Sequence, residues 1–433
     1  MKFRLVALVL LAVGVVGGAA ALLYAWKAPI PPIDPRSRGV PDRALVRRGA
    51  SLALLGDCAT CHTAPGGMPY AGGLAMPTPF GTIYSTNITP DVETGIGRWS
   101  EEAFVRALRA GVDREGRHLY PAFPYDHFTR VSDDDAKALY AFLMSIDPVS
   151  ASAPPNALPF PLNVRLTLAG WKLLFLREAR FVADPSQDER WNRGKYLVDG
   201  LGHCGACHSP RNLLGAEKTS AGFEGGEAEG WRAYALGRHS RSPVAWDEAA
   251  LADYLAHGSH PLHGTAQGPM ANVADNLARV DPADVGAMAY YLASLGSGEA
   301  RTGSQSTPPG PGRLPQAAGA QAATPPVPSE PGGAIYATVC ASCHEGDRPL
   351  PLGGARLGLS SAVTDDVPAN LINLVMRGIP ATGASARPIM PGFGDVLGDR
   401  QMSDLVNYLR ARFAGRPPWD GVAKAVAEIR SGR

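Results

Sequence analysis

Spare cysteine is the first thing this chain lacks. Its 433 residues hold six cysteines, all within three copies of one pentapeptide, so none remains for a disulfide or an iron–sulfur cluster. Charge of one sign is missing too: a formal net charge of +1 offers no basic stripe of the kind nucleic-acid binding needs. No glycine-rich nucleotide loop follows a strand and no Ser-His-Asp order is apparent, which leaves out the parts of a self-contained dehydrogenase or hydrolase. Only the N-terminus has an apolar run long enough to cross a membrane. What the chain has in quantity is glycine (50) and proline (39), residues that favour turns and loops.

The three pentapeptides are Cys58-Ala59-Thr60-Cys61-His62, Cys204-Gly205-Ala206-Cys207-His208 and Cys340-Ala341-Ser342-Cys343-His344. C-x-x-C-H is the signature of covalent haem attachment. Two cysteines three apart on a helical turn each add to a vinyl group of one porphyrin, and the adjacent histidine is the proximal iron ligand. The expectation is therefore three covalently bound haem c groups, attached through Cys58, Cys61, Cys204, Cys207, Cys340 and Cys343 and ligated by His62, His208 and His344. A zinc reading needs the cysteine pairs gathered in fours or completed by further ligands, and leaves the repeated histidine unexplained. A thioredoxin-like reading needs one C-x-x-C on a βαβ unit, whereas the surroundings are helical and rich in Gly and Pro. C-type haem is attached outside the cytoplasm, so the motifs also imply export.

The N-terminus agrees. Lys2 and Arg4 precede an apolar run from Leu5 to Tyr24, which at roughly 20 residues matches a bilayer span. Trp26 and Lys27 read as an interfacial anchor, and the positive-inside rule places everything after them in the periplasm. A retained anchor over residues 1–27 is favoured over a cleaved signal peptide, although Ala19-Ala20-Ala21 is a fair cleavage site.

The motifs recur with a period of about 140 residues, an internal repeat. Each copy has a first helix entering the motif, beginning near Arg48-Gly49, Arg193-Gly194 or Gly332-Gly333. A Gly/Pro-rich loop follows, then an amphipathic helix (Glu101 to Ala110, Asp247 to Ala256, Pro368 to Arg377) stopped by Gly111, Gly258 or Gly378. A last helix carries Phe142-Leu143, Tyr291-Leu292 or Tyr408-Leu409. This order resembles the class I cytochrome c fold. It implies a mainly α protein of three tandem domains, at residues 40–150, 186–296 and 334–415, with a bridging segment at 151–185 and a C-terminal tail at 416–433. Leu162 to Phe181 is expected to pack as part of that bridge. Ser297 to Gly333 is poor in large apolar residues and reads as a linker, so the third domain is expected to be the more loosely tethered, mobile end.

The sixth ligand of each iron tunes its potential, a methionine thioether raising it. Met270 in Gly268-Pro269-Met270 and Met390 in Pro388-Ile389-Met390-Pro391 occupy matching loops before the last helix. In copy one the slot is Pro121-Ala122-Phe123-Pro124, and phenylalanine cannot coordinate iron. His127, four residues further on, is the preferred substitute, ahead of Met76, His118 and Met144. His257, His260 and His263 read as solvated loop histidines.

Tyr70-Ala71-Gly72-Gly73, the run Thr78-Pro79-Phe80-Gly81-Thr82-Ile83-Tyr84-Ser85-Thr86-Asn87-Ile88-Thr89-Pro90-Asp91, and Thr94-Gly95-Ile96-Gly97 resemble the signature after the first haem in three-haem cytochrome c subunits of membrane-bound periplasmic dehydrogenases. The resemblance implies an electron-transfer subunit with no catalysis of its own. Its partners would be a quinoprotein, flavoprotein or molybdoenzyme catalytic subunit, with ubiquinone or a terminal oxidase as acceptor, at the inner membrane with the haem domains in the periplasm. It also implies Met270 and Met390 as ligands. Relatives commonly have methionine at the Phe123 position and histidine at the His118 position, which argues against His118 as the substitute ligand; the departure at Phe123 tilts the partner towards the molybdenum branch. A free-standing membrane cytochrome with peroxidase activity at an open first haem is the alternative.

Overall fold

The computed structural model describes residues 2–296, 330–345, 354–380 and 389–432. Most of the expected linker, residues 297–329, and Pro388 lie outside the described residues. The chain forms two compact units, one of Met1–Ala183 with Asp199–His203, the other of Asp184–Val198 with Cys204–Arg433.

In the first unit, α1 (Lys2–Ala25) is a single helix. Its stretch Phe3–Ala25, whose most apolar 18-residue window has a mean hydropathy of 2.7 and no residue buried by protein, is long and apolar enough to cross a membrane. Then come α2 (Arg43–Leu55), the short α3 (Cys58–Cys61), a hairpin of β1 (Ala75–Thr78) and β2 (Gly81–Tyr84), α4 (Glu101–Ala110), α5 (Tyr125–Phe128), α6 (Asp133–Leu143) and α7 (Leu168–Phe175). The second unit continues with α8 (Glu189–Tyr196), α9 (Gly205–His208), α10 (Glu248–His257), α11 (Pro269–Leu277), α12 (Pro282–Ser294), α13 (Pro331–Ile335), α14 (Ala341–His344), α15 (Ser361–Thr364), α16 (Ala369–Arg377), α17 (Asp399–Ala414) and α18 (Val422–Arg430), with a second short hairpin of β3 (Gly226–Ala228) and β4 (Trp231–Ala233).

Three helix crossings repeat with the motifs, and each depends on a missing side chain. A Cβ on Gly49 of α2 would lie 2.0 Å from the Ala138 carbonyl oxygen of α6 and 2.7 Å from Phe142 Cβ. On Gly194 of α8 it would lie 2.0 Å from the Ala287 carbonyl oxygen of α12 and 2.8 Å from Tyr291 Cβ. On Gly332 of α13 it would meet the Asp404 carbonyl oxygen of α17 at 2.2 Å and Tyr408 Cβ at 2.6 Å. Only glycine lets the backbones approach so closely, and the aromatic residue expected on each last helix closes the crossing. The amphipathic helices also form where the sequence places them. Ser100 and Asp247 cap α4 and α10 by accepting from Ala103 N–H and Ala250 N–H, and Gly111 and Gly258 end them in the left-handed conformation that glycine adopts without strain.

Two expectations fare differently. The stretch read as a tail, described to residue 432, folds back: Trp419, Val422 and Val426 are buried in one core with Ile372, Leu405 and Val406, because α18 presents an apolar face that the third crossing leaves room for. The third repeat, expected to be loosely tethered, packs on the second. The Asn370 side chain accepts from Arg232 N–H at 2.8 Å and donates to Arg232 C=O at 2.9 Å. Asn373 donates to Gly230 C=O at 3.0 Å, and Asp365 pairs with Arg232 at 3.3 Å. Short β4 leaves backbone groups unpaired in its own hairpin, and these asparagines satisfy them.

Candidate haem sites

The three C-x-x-C-H histidines share one arrangement. His62 Nδ1 lies 2.6 Å from the Thr86 carbonyl oxygen, His208 Nδ1 2.6 Å from that of Tyr234, and His344 Nδ1 2.9 Å from that of Ala355. A carbonyl can only accept, so each Nδ1 carries the proton and the lone pair sits on Nε2, the tautomer a proximal ligand needs. Burial pulls His62 and His208 below the ordinary histidine pKa, against the raising effect of those hydrogen bonds. A neutral ring is the form that can donate to iron.

Each pair of cysteines spans one turn beside its histidine, at α3, at the entry to α9 and at the entry to α14. All six thiols are free of disulfides. Burial raises Cys58 to about 12 and Cys340 to about 11, so these are protonated thiols, the state that adds across a vinyl group. Donor set, tautomer and spacing all fit haem c. The lead-in differs between copies: α2 stops at Gly56 and Asp57 before α3, whereas five-residue π-helical turns, Leu197–Leu201 and Tyr336–Cys340, carry the other two copies to their motifs.

Sequence reasoning named the histidines and missed the carbonyls that orient them. A carbonyl leaves no mark in a residue's identity, but Thr86 stands inside the family-like run of residues 78–91. That run is held as a knot. Asn87 donates to Thr94 Oγ1 at 2.9 Å and to Val149 C=O at 2.7 Å, while its Oδ1 accepts from Thr89 N–H at 2.9 Å. Gly72, at φ +74°, passes so close that a Cβ would lie 2.4 Å from Thr86 C. The signature is thus the support of the first histidine.

The candidate sixth ligands are placed as follows. Met390 bridges to Ile379 through the backbone and packs beside the third core. Met270 sits in the first turn of α11, a helix where the sequence suggested a loop, because Pro269 at its start sets a helical φ. Phe123 packs edge-on against Phe128, ring centres 5.3 Å apart. His127 on α5 is buried, and its Nδ1 lies 2.9 Å from the Asp199 carbonyl oxygen, the arrangement seen at the three motif histidines. His118 uses both ring nitrogens within the protein, Nε2 at 2.7 Å from Ala25 C=O and Nδ1 at 3.1 Å from Lys172 Nζ. The Met144 sulfur faces Arg38 Nη1, and Met76 is half-buried in β1. Of the histidines read as solvated in a loop, His257 ends α10 and pairs with Asp253 in solvent, whereas His263 is half-buried and stacks on Trp246 at 3.5 Å.

Comparison with known proteins gives the family. Residues 46–147 fit the family model described as cytochrome c, and residues 328–409 the one described as cytochrome C oxidase, cbb3-type, subunit III. The gluconate 2-dehydrogenase cytochrome c subunit of Pantoea cypripedii is 39% identical over 405 residues, covering 89% of this chain and 90% of that protein. The chain belongs to the family of cytochrome c subunits of membrane dehydrogenases. It is an electron-transfer cytochrome with covalently bound haem c. The fructose dehydrogenase cytochrome subunit of Gluconobacter japonicus is 36% identical over 408 residues, 90% of this chain and 83% of that protein. A nicotinate dehydrogenase subunit of Pseudomonas putida is 47% identical over 429 residues, 96% of this chain, but this cytochrome spans only 35% of that protein's length.

Proposed function

We propose that this cytochrome carries three haem c groups in three tandem class I cytochrome c-like domains and passes electrons from a catalytic dehydrogenase subunit to ubiquinone or a terminal oxidase. The domains correspond to residues 40–150, 186–296 and 334–415, the last extended by α18. The observation that carries this reading is the threefold repetition of a motif histidine whose Nδ1 faces a backbone carbonyl. When bound, each haem supplies a one-electron iron couple. The protein's part is to attach it through Cys58 and Cys61, Cys204 and Cys207, or Cys340 and Cys343, to hold His62, His208 or His344 in one tautomer, and to set the sixth position. Met270 and Met390 fill that position for the second and third haems. A thioether there favours the reduced iron and raises the potential.

His127 is the sixth ligand of the first haem in this reading, supported by its burial and its carbonyl-bonded Nδ1. Two histidines lower a potential relative to His/Met, so the first haem is the most reducing of the three. Low-temperature EPR of His127→Ala tests this: an unchanged first-haem signal sinks the assignment, and a shift to high spin supports it.

The apolar α1 supports anchoring in the inner membrane with the haem domains periplasmic. The catalytic partner belongs to the molybdenum branch, supported by Phe123 in the usual methionine slot, and the 47% identity to the nicotinate dehydrogenase subunit supports a nicotinate-type substrate. Purification from membranes in mild detergent, with mass spectrometry of what co-purifies and a pyridine haemochrome count, is the test. A large dehydrogenase subunit with three haems per chain is expected. Three haems without a partner, together with peroxide-driven oxidation of the reduced protein, would indicate a free-standing peroxidase.

A further inference from the structure

The stretch expected to pack as a bridge is apolar on two opposite faces, and only one is covered. α7 buries Leu168, Ala169, Lys172 and Leu176 against the first unit. On its other side Leu173 is 61% and Leu174 59% exposed, and Leu166 and Phe160 just before it are 47% and 81% exposed. Leu166 on the 3-10 turn Arg165–Thr167 and Leu173 and Leu174 on α7 make an exposed apolar stripe at positions that water would normally make polar.

The position of this stripe says what covers it. Ala25, the last residue of α1, accepts through its carbonyl from His118 Nε2, and the other ring nitrogen of His118 meets Lys172 of α7. One histidine therefore separates the end of the apolar helix from α7. Tyr24 and Lys27 share the walls of a cavity of about 440 Å³ with Leu173 and Arg177. The exposed Trp26 and Tyr24, with Lys27 5.0 Å from the Tyr24 ring centre, mark this level as a membrane–water interface. Lys27 and Arg177 line the same cavity with Glu178, two positive charges against one, the sign that anionic headgroups attract.

We propose that α7 and the residues leading into it form a second membrane contact, lying in the plane of the bilayer surface with Phe160, Leu166, Leu173 and Leu174 among the upper acyl chains. It rests on the reading of α1 as a membrane span. A helix through the bilayer leaves the attached domain free to tilt and rotate. A second contact beside its exit fixes the face that the first haem domain turns towards the membrane.

The test uses the full-length, haem-loaded protein in vesicles of phosphatidylethanolamine and phosphatidylglycerol. The native cysteines are consumed by haem, so a single added cysteine is read by its rate of modification with a charged, water-soluble maleimide, scored by mass spectrometry. Leu174→Cys is compared with Leu11→Cys within α1 and with Val40→Cys, which is 98% exposed. Leu174→Cys is expected to react roughly tenfold or more slowly than Val40→Cys in vesicles, and Leu11→Cys likewise. Fast Leu174→Cys with protected Leu11→Cys overturns the second contact alone; fast modification at both sites overturns the span as well. Protection of Leu174→Cys only when a catalytic subunit is added assigns the stripe to a protein partner and overturns the membrane assignment.

Discussion

Gly49 and Ala138 touch backbone to backbone: a Cβ at Gly49 would sit 2.0 Å from the Ala138 carbonyl oxygen. A methyl group has no room there, and the atom it meets belongs to a helix that cannot move alone. Gly49→Ala is expected to cost about 1–3 kcal/mol through overpacking and to lower the melting temperature of the purified protein. Gly286→Ala is the control. Its Cβ would meet only Arg190 Nη2 at 3.4 Å, and replacing an interior helical glycine with alanine there should be neutral or slightly stabilising. Equal melting temperatures for Gly49→Ala and the wild type would refute the close-crossing argument.

Met270 and Met390 are predicted to tune two different irons. Each alanine variant should lose one methionine–iron charge-transfer absorption and lower one midpoint potential in a redox titration, with haem stoichiometry unchanged, because attachment depends on the cysteines and not on the sixth ligand. The double variant should lose both bands. A variant that keeps the full band shows that its methionine is only packing.

Asn370 holds the third repeat on the second by pairing with both backbone groups of Arg232. Asn370→Leu keeps the bulk and removes both partners, leaving the Arg232 N–H and C=O unsatisfied at a cost of roughly 1–3 kcal/mol. The expected result is a contact that opens more often, read as faster hydrogen exchange at the Arg232 amide in Asn370→Leu than in the wild type. Exchange at the same rate in both would show that the pairing does not hold the domains.

The attachment motifs, the repeat and the helix stops were legible in the sequence because they rest on residue types with one physical use: paired cysteines beside a histidine, a glycine that ends a helix. Gly49 and Gly194 read as helix starts, whereas they lie inside α2 and α8 where two backbones meet. The carbonyls of Thr86, Tyr234 and Ala355 were not legible, since any residue supplies a carbonyl and only the fold chooses which. Docking through Asn370 was hidden for a related reason. Asparagine on a helix next to a linker-rich region reads as a solvated polar residue until the unpaired strand edge it meets is known. The run from Leu162 to Phe181 packs on one side only, with Leu168, Ala169 and Leu176 buried and Leu173 and Leu174 exposed. Its hydrophobicity signals burial, but composition does not say which side chains the rest of the protein covers.

Lys172 gives a pH dependence whose sign can be worked out. Its Nζ lies 2.7 Å from Ala110 C=O and 3.1 Å from His118 Nδ1, and it also donates to Gly111 C=O. Burial lowers its pKa to about 7, against the pull of Glu178. The unfolded chain keeps that proton up to the ordinary lysine value of about 10.4. Between about 7 and 10.4 the unfolded state therefore binds more protons than the native state, and stability from this group rises with pH. Below about 7 both states are protonated, the burial cost is felt in full, and the contribution is flat. Lys172→Met removes the titration. The melting temperature of the wild type minus that of the variant should thus increase as pH rises from about 7 towards 10 and stay level below. A difference that is constant across the alkaline range would mean that the three acceptors hold the ammonium at its ordinary pKa, and one that falls would mean that they raise it.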